Sequence, residues 1–193
     1  MKDLVAELRA SIVATLLLAV LCCGIYPVLV WAIGQGVFPH QANGSLIQVD
    51  GKIAGSSLLA QGFTAPDYFH PRPSAAGQGY DAAGSSGTNL GPTSKKLIES
   101  VKERVDAYRA ENGLPPDARV PADAVTSSAS GLDPHISVRN ATLQAARVAK
   151  ARGIGEKEVL AKVGAHTEGR TLGLLGEPRV NVLTLNLSLD GKM

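Results

Sequence analysis

Two polar clusters hold the residue types that could do chemistry. In Ser130-Gly131-Leu132-Asp133-Pro134-His135, the Asp133 and His135 side chains could exchange a proton as acid and base, or hold a metal ion together with Asp81. The competing reading is structural: an Asp before Pro at a helix start is commonly a cap, with His135 then in the first turn. The second cluster runs from Tyr80 and Asp81 through Ser86 and Asn89 to Thr93, spaced by Gly84, Gly87 and Gly91. Its glycines would let backbone N–H groups approach an anion, and its hydroxyls and carbonyls could hold a cation or a phosphate. The competing reading is a tight loop whose Asn and Ser bond to their own backbone. Tyr80, Asp81, Ser86, Asn89, Asp133 and His135 are thus the candidate ligand or partner contacts. None is assigned a catalytic role, and no metal site is assigned.

Other chemistry is missing from the sequence. It contains no GxxxxGK[ST] phosphate loop, no GxGxxG after a strand, no GxSxG elbow, no HExxH and no Cys/His metal pattern. An autonomous ATPase or hydrolase has no recognisable engine here. His40, His70 and His166 each stand alone in the sequence. Arg72 and Arg179 adjoin prolines and Glu177 precedes Pro178, which makes an ion pair between a loop and a strand plausible. A net charge of +2 without a clustered basic face argues against nucleic acid as a partner.

The elements that carry these clusters begin with an apolar stretch. From Ala10 through Val49 there is no Asp, Glu, Lys or Arg, and Ile12 to Ile33 is almost wholly apolar. About 22 helical residues at ~1.5 Å each reach about 33 Å, enough for a hydrocarbon core of ~30 Å. Signal-peptide cores run about 7–15 residues, so the stretch reads as a permanent anchor, with a leader cut after Ala32 or Gly34 as the alternative. Pro27 should kink this helix or mark where it packs on a neighbour. Lys2 and Arg9 precede the span and the first positive residue after it is Lys52. The positive-inside rule then gives a cytoplasmic tail over 1–10, a transmembrane helix over 11–33 and a soluble domain over 34–193 on the outer face. The only cysteines, Cys22 and Cys23, lie in the apolar stretch, so disulfide usage is silent on compartment.

The soluble part reads as one α+β domain with a small β-sheet and about three helices. Val37 to Asn43 reads as a linker. Ser45–Val49 and Lys52–Leu58 flank Asp50-Gly51, a favoured hairpin turn. Residues 64–94 form a long loop rich in Pro, Gly and Ser. Tyr68, Phe69 and Tyr80 within it predict an ordered loop that packs on the domain or on a partner. A helix from Lys95 to about Asn112, capped by Ser94, carries Leu97, Ile98, Val101, Val105 and Tyr108 on one face. A second, opened by Ser137 or Pro134 and ended by Gly153, buries Ala141, Ala145, Val148 and Ala149. A third spans Glu156 to Val163. Alternating residues from Arg179 to Leu189 predict a final core strand with a bulge near Leu183.

The ordered set of motifs resembles one family, the C subunit of the bacterial Kdp potassium-transporting ATPase (KdpC). The resemblance covers nearly the whole chain. It rests on Tyr26-Pro27, Phe38-Pro39, Gln41 to Leu46, Gly55-Ser56, Tyr68 to Ala75, Tyr80-Asp81 and Asn89 to Thr93. It continues through Val120-Pro121 to Val125-Thr126, Ser130 to Ser137, Arg147 to Ala149 and Gly176 to Leu183. One departure is Thr88 before Asn89, where Ser is expected. The resemblance implies an accessory, non-catalytic subunit of a high-affinity potassium uptake pump in the bacterial inner membrane. Its expected partners are membrane lipid, a channel-like A subunit and a P-type ATPase B subunit. It is needed for assembly, and the family has been described as a catalytic chaperone that raises ATP affinity. No cofactor is expected to be bound covalently, and ATP would be reached through the B subunit. An outward-facing domain collides with direct ATP contact, because Asp81, Ser86 and Asn89 would then lie across the membrane from the nucleotide. From the residues alone, a membrane-anchored periplasmic enzyme using Asp133 and His135, or a domain binding a small anion, are the alternatives.

Overall fold

The structure, a computed structural model, describes residues 2–192. It divides into two compact units, with the boundary between Leu46 and Ile47. The first is built on helix: α1 (Lys2–Ala19), a π-helical turn over Val20–Ile25, α2 (Tyr26–Val37) and the single turn α3 (Pro39–Ala42). Asp3–Val37 is one helix of 35 residues, long and apolar enough to cross a membrane, and none of its most apolar window is buried. Leu16, Val28 and Trp31 are 62%, 62% and 65% exposed, so this surface requires a covering of lipid or protein. Pro27 has no N–H to return to the preceding turn. The helix accommodates it by widening, with the Tyr26 N–H bonded to the Leu21 carbonyl. The expected linker at Val37–Asn43 is instead the end of α2 followed by α3, because Pro39 sits at a helix N-terminus where it is tolerated.

At the boundary stands the hairpin of β1 (Leu46–Val49) and β2 (Lys52–Ser56), which but for Leu46 belongs to the second unit. Asp50 and Gly51 both take positive φ, 51° and 74°, as a type I′ turn requires. Further on, α4 (Lys95–Glu111), the short α5 (Ala122–Val125), β3 (His135–Ser137), α6 (Val138–Arg152) and α7 (Glu156–Ala165) follow. The chain then enters β4 (Thr167–Glu168), β5 (Arg179–Asn181) and α8 (Val182–Leu189). A three-stranded antiparallel sheet runs β3-β5-β4, with Ile136 and Thr167 both opposite Val180.

Helix α6 forms as its sequence demands. Ser137 caps it by accepting from the Asn140 N–H at 3.1 Å, and Gly153 closes it in the left-handed region at φ 67°. Ala141, Ala145 and Ala149 fall on one face, and their small size lets α7 approach, so that Val159 and Val163 join Val148 in the core. Phe69, Ile136, Val180, Val182 and Leu185 complete that cluster. On α4 only Tyr108 is fully buried, and Ile98 is 60% exposed.

The expected terminal strand is corrected. Only Arg179–Asn181 is strand, and the chain turns helical at Val182 with the Asn181 side chain accepting from the Thr184 N–H. Six of the eight residues of α8 are buried, so it is enclosed almost all round. A short, fully buried helix carries no amphipathic period to separate it from a strand.

Candidate functional site

The two polar clusters meet. Residues 74–91 fold back on residues 128–133: the Ser86 N–H donates to the Ser130 carbonyl at 3.0 Å, and the Ser85 hydroxyl to the same oxygen at 3.0 Å. The Ser74 hydroxyl donates to the Gly131 carbonyl at 2.6 Å and accepts from the Ala76 and Tyr80 N–H groups. Gly131 takes φ 69°, and a Cβ there would lie 2.7 Å from both Ala76 N and Ser86 O. Only glycine allows that approach.

Tyr80, itself at φ 58°, is pinned by its phenol, which donates to the Arg72 carbonyl at 2.9 Å. Burial pushes that phenol pKa upward. Asp81 accepts from the Ala83 N–H at 2.9 Å, as in an Asx turn. Ser86 places its hydroxyl on the Gly87 carbonyl, and Asn89 sits at φ 51°. Asp81 does not join Asp133 and His135: among the described residues no three His, Cys, Asp or Glu side chains form a group that could hold a metal ion.

Asp133 is not a helix cap, and His135 is not in a first turn. His135 begins strand β3, because α6 starts only after Ser137. The Asp133 carboxylate instead takes Arg72 at 2.9 Å and the His135 N–H at 3.0 Å, with His135 Nδ1 at 3.6 Å. The buried loop-to-strand ion pair expected around Arg72, Glu177 and Arg179 does not form: Arg72 pairs with Asp133, which precedes β3 in a loop, and both side chains are partly exposed. Arg179 pairs with Glu168 at 3.0 Å and Glu177 with Arg170 at 2.8 Å, both on the surface. Arg72, Asp133, His135 and Arg179 border a cleft of about 480 Å³ with Asp123 and Ser137.

Burial alone would raise the Asp133 pKa, but hydrogen bonds from the His135 side chain and backbone and from Arg72 outweigh it. They hold the group at about 2, against an ordinary 3.8. The folded value lies below the unfolded one, so the contribution is fully present above about pH 4 and is lost as pH falls through about 2. Its size is on the order of 1–2 kcal/mol after allowing for partial exposure. Urea midpoints of wild type and Asp133→Asn should therefore converge between pH 4 and 2; parallel curves would refute the assignment.

What orders the long loop was not visible as a motif. The Asn186 carboxamide accepts from the Phe69 N–H at 2.8 Å and donates to the Phe69 carbonyl at 3.0 Å. Gln144 does the same for His70, at 2.7 and 3.1 Å. Two side-chain amides thus stand in for a neighbouring strand. Arg147 donates to the Pro66 and Tyr68 carbonyls, and Arg152 to the Asp67 carbonyl. His70 is not alone either, with Nδ1 at 2.9 Å from Glu111. The available signal was Asn140 and Gln144 recurring at four-residue spacing in line with buried Val148.

A family model described as KdpC: K+-transporting ATPase, c chain, matches residues 8–191. The chain belongs to the KdpC family. Its similarity to members spans most of the chain. A protein of Nitratidesulfovibrio vulgaris named potassium-transporting ATPase KdpC subunit is 58% identical over 185 residues, 94% of this chain and 92% of the relative. Proteins of the same name from Mycobacterium tuberculosis and Koribacter versatilis are 55% and 50% identical, covering 95% and 98% of this chain and 97% and 95% of their own.

Proposed function

We propose that this chain is an accessory, non-enzymatic subunit of a potassium-transporting ATPase. It would hold the channel-like A subunit and the P-type B subunit together and support ATP use by the latter. The observation that carries this reading is a family match over residues 8–191 joined to a helix of 35 residues whose most apolar window is not buried. Such a helix has its work outside the chain, in lipid and against other membrane segments. The Asp133–His135 pair is committed to Arg72 and to the strand backbone, which favours a positioning role over acid–base turnover.

The helix would place the N-terminus in the cytoplasm of a bacterial inner membrane and the second unit on the periplasmic side, as Lys2 and Arg9 favour. ATP would then be met only by the B subunit, and Tyr80, Asp81, Ser86 and Asn89 would order the loop or face a partner. Tagged protein drawn from membranes of potassium-limited cells should carry two larger membrane proteins, one of them a P-type ATPase. In the same cells Ile98→Cys, exposed on α4, should react with a membrane-impermeant maleimide added outside. Solitary elution would sink the subunit reading, and labelling only after lysis would reverse the orientation.

A further inference from the structure

The segment between β4 and β5 ends in three leucines that the chain itself leaves uncovered. Leu172, Leu174 and Leu175 are 87%, 79% and 63% exposed. The tip is a built hairpin: the Thr171 N–H donates to the Leu175 carbonyl at 2.9 Å and the Leu175 N–H returns to Thr171 at 3.0 Å. Arg170 closes its base on both oxygens of Glu177, at 2.9 and 2.8 Å.

Leu172 stands at φ 55°, followed by Gly173 at φ 74°. The left-handed region penalises a leucine and suits Gly or Asn. Within the chain, this side chain brings strain and exposed apolar surface together. Strain of this kind points to a use outside the fold.

We infer that this leucine tip is a docking knob that inserts into an apolar, polar-rimmed pocket on another protein subunit of the ATPase, an inference that rests on the subunit reading above. The flanking charges select a protein over lipid. Arg170 and Arg179 are each neutralised by a carboxylate, and no aromatic residue lies between Thr167 and Arg179. A lipid-seeking tip carries free basic residues and aromatic anchors. Size argues against a second copy of this chain. Three leucines offer on the order of a few hundred Å², well below the about 800 Å² per partner of a self-sufficient interface. A contact this small works when a second attachment, here the long apolar helix, already holds the partner near.

The test uses the full-length tagged chain in membranes of potassium-limited cells, as wild type, Leu172→Gly and Leu172→Gly with Leu174→Ser. Glycine relieves the left-handed strain, so the thermal midpoint of the purified chain should be unchanged or higher. Retention of the larger ATPase subunits through a detergent wash should nonetheless fall at least about 10-fold in the double variant. Undiminished retention, or loss that tracks a lowered midpoint, overturns the inference. So does a Leu174→Trp fluorescence quenched by brominated lipid beyond the quenching of Trp31 in wild type, or a change in self-association. If wild type retains no ATPase subunit, the subunit reading falls first and takes this one with it.

Discussion

Asn186→Leu will lower the thermal midpoint of the full chain in detergent by about 10 °C, although it swaps one buried side chain for another of the same branched outline. Asn186 is 1% exposed and Phe69 0%. The carboxamide serves both the N–H and the carbonyl of Phe69, and a leucine serves neither. Each main-chain group left buried without a partner costs about 1–3 kcal/mol. The pair therefore costs about 2–6 kcal/mol, and each kcal/mol moves the midpoint of a domain this size by about 2–4 °C. Limited proteolysis should cut residues 64–76 well before the rest of the second unit unfolds. A midpoint within about 2 °C of wild type would show that the loop is held by Phe69 packing alone.

Gly131→Ala is the second large effect, and Gly113→Ala is its control. Both glycines have positive φ, 69° and 63°, but a Cβ on Gly113 meets nothing within 4 Å, whereas on Gly131 it strikes the backbone of Ala76 and Ser86. The left-handed penalty, about 1–2 kcal/mol, is common to both. The overlap adds about 1–3 kcal/mol at Gly131 alone, and it falls where the two polar clusters join. Equilibrium urea unfolding should therefore show Gly131→Ala losing at least about 1 kcal/mol more than Gly113→Ala. Equal losses would mean that the loops yield to each other freely.

These two sites also mark how far the sequence could be read. Local rules reached the apolar helix, the Asp50-Gly51 turn, and α6 between Ser137 and Gly153, because each depends on neighbours in the chain. They failed at α8, where leucines at 183, 185, 187 and 189 alternate like a strand although a helix buried on nearly every side uses them all. The polar clusters were recognisable by type, yet their union was not. Ser86 meets Ser130 and Arg72 meets Asp133 across separations of 44 and 61 residues. Asn186 and Gln144 were overlooked because amides on helices ordinarily face water. Here they take the place of a strand that the loop lacks.

The π-helical turn at Val20–Ile25 gives the long apolar helix a phase break. Each residue of an α-helix advances about 100°, and the wide turn takes up one residue more than an α-turn would. The face that Val13 and Leu17 share above the break is thus offset from the one that Val28 and Ala32 share below it. To a neighbouring segment the helix presents two separately aimed surfaces. Shortening that turn by one residue would re-aim one half against the other by about a quarter-turn without altering a single side chain in either.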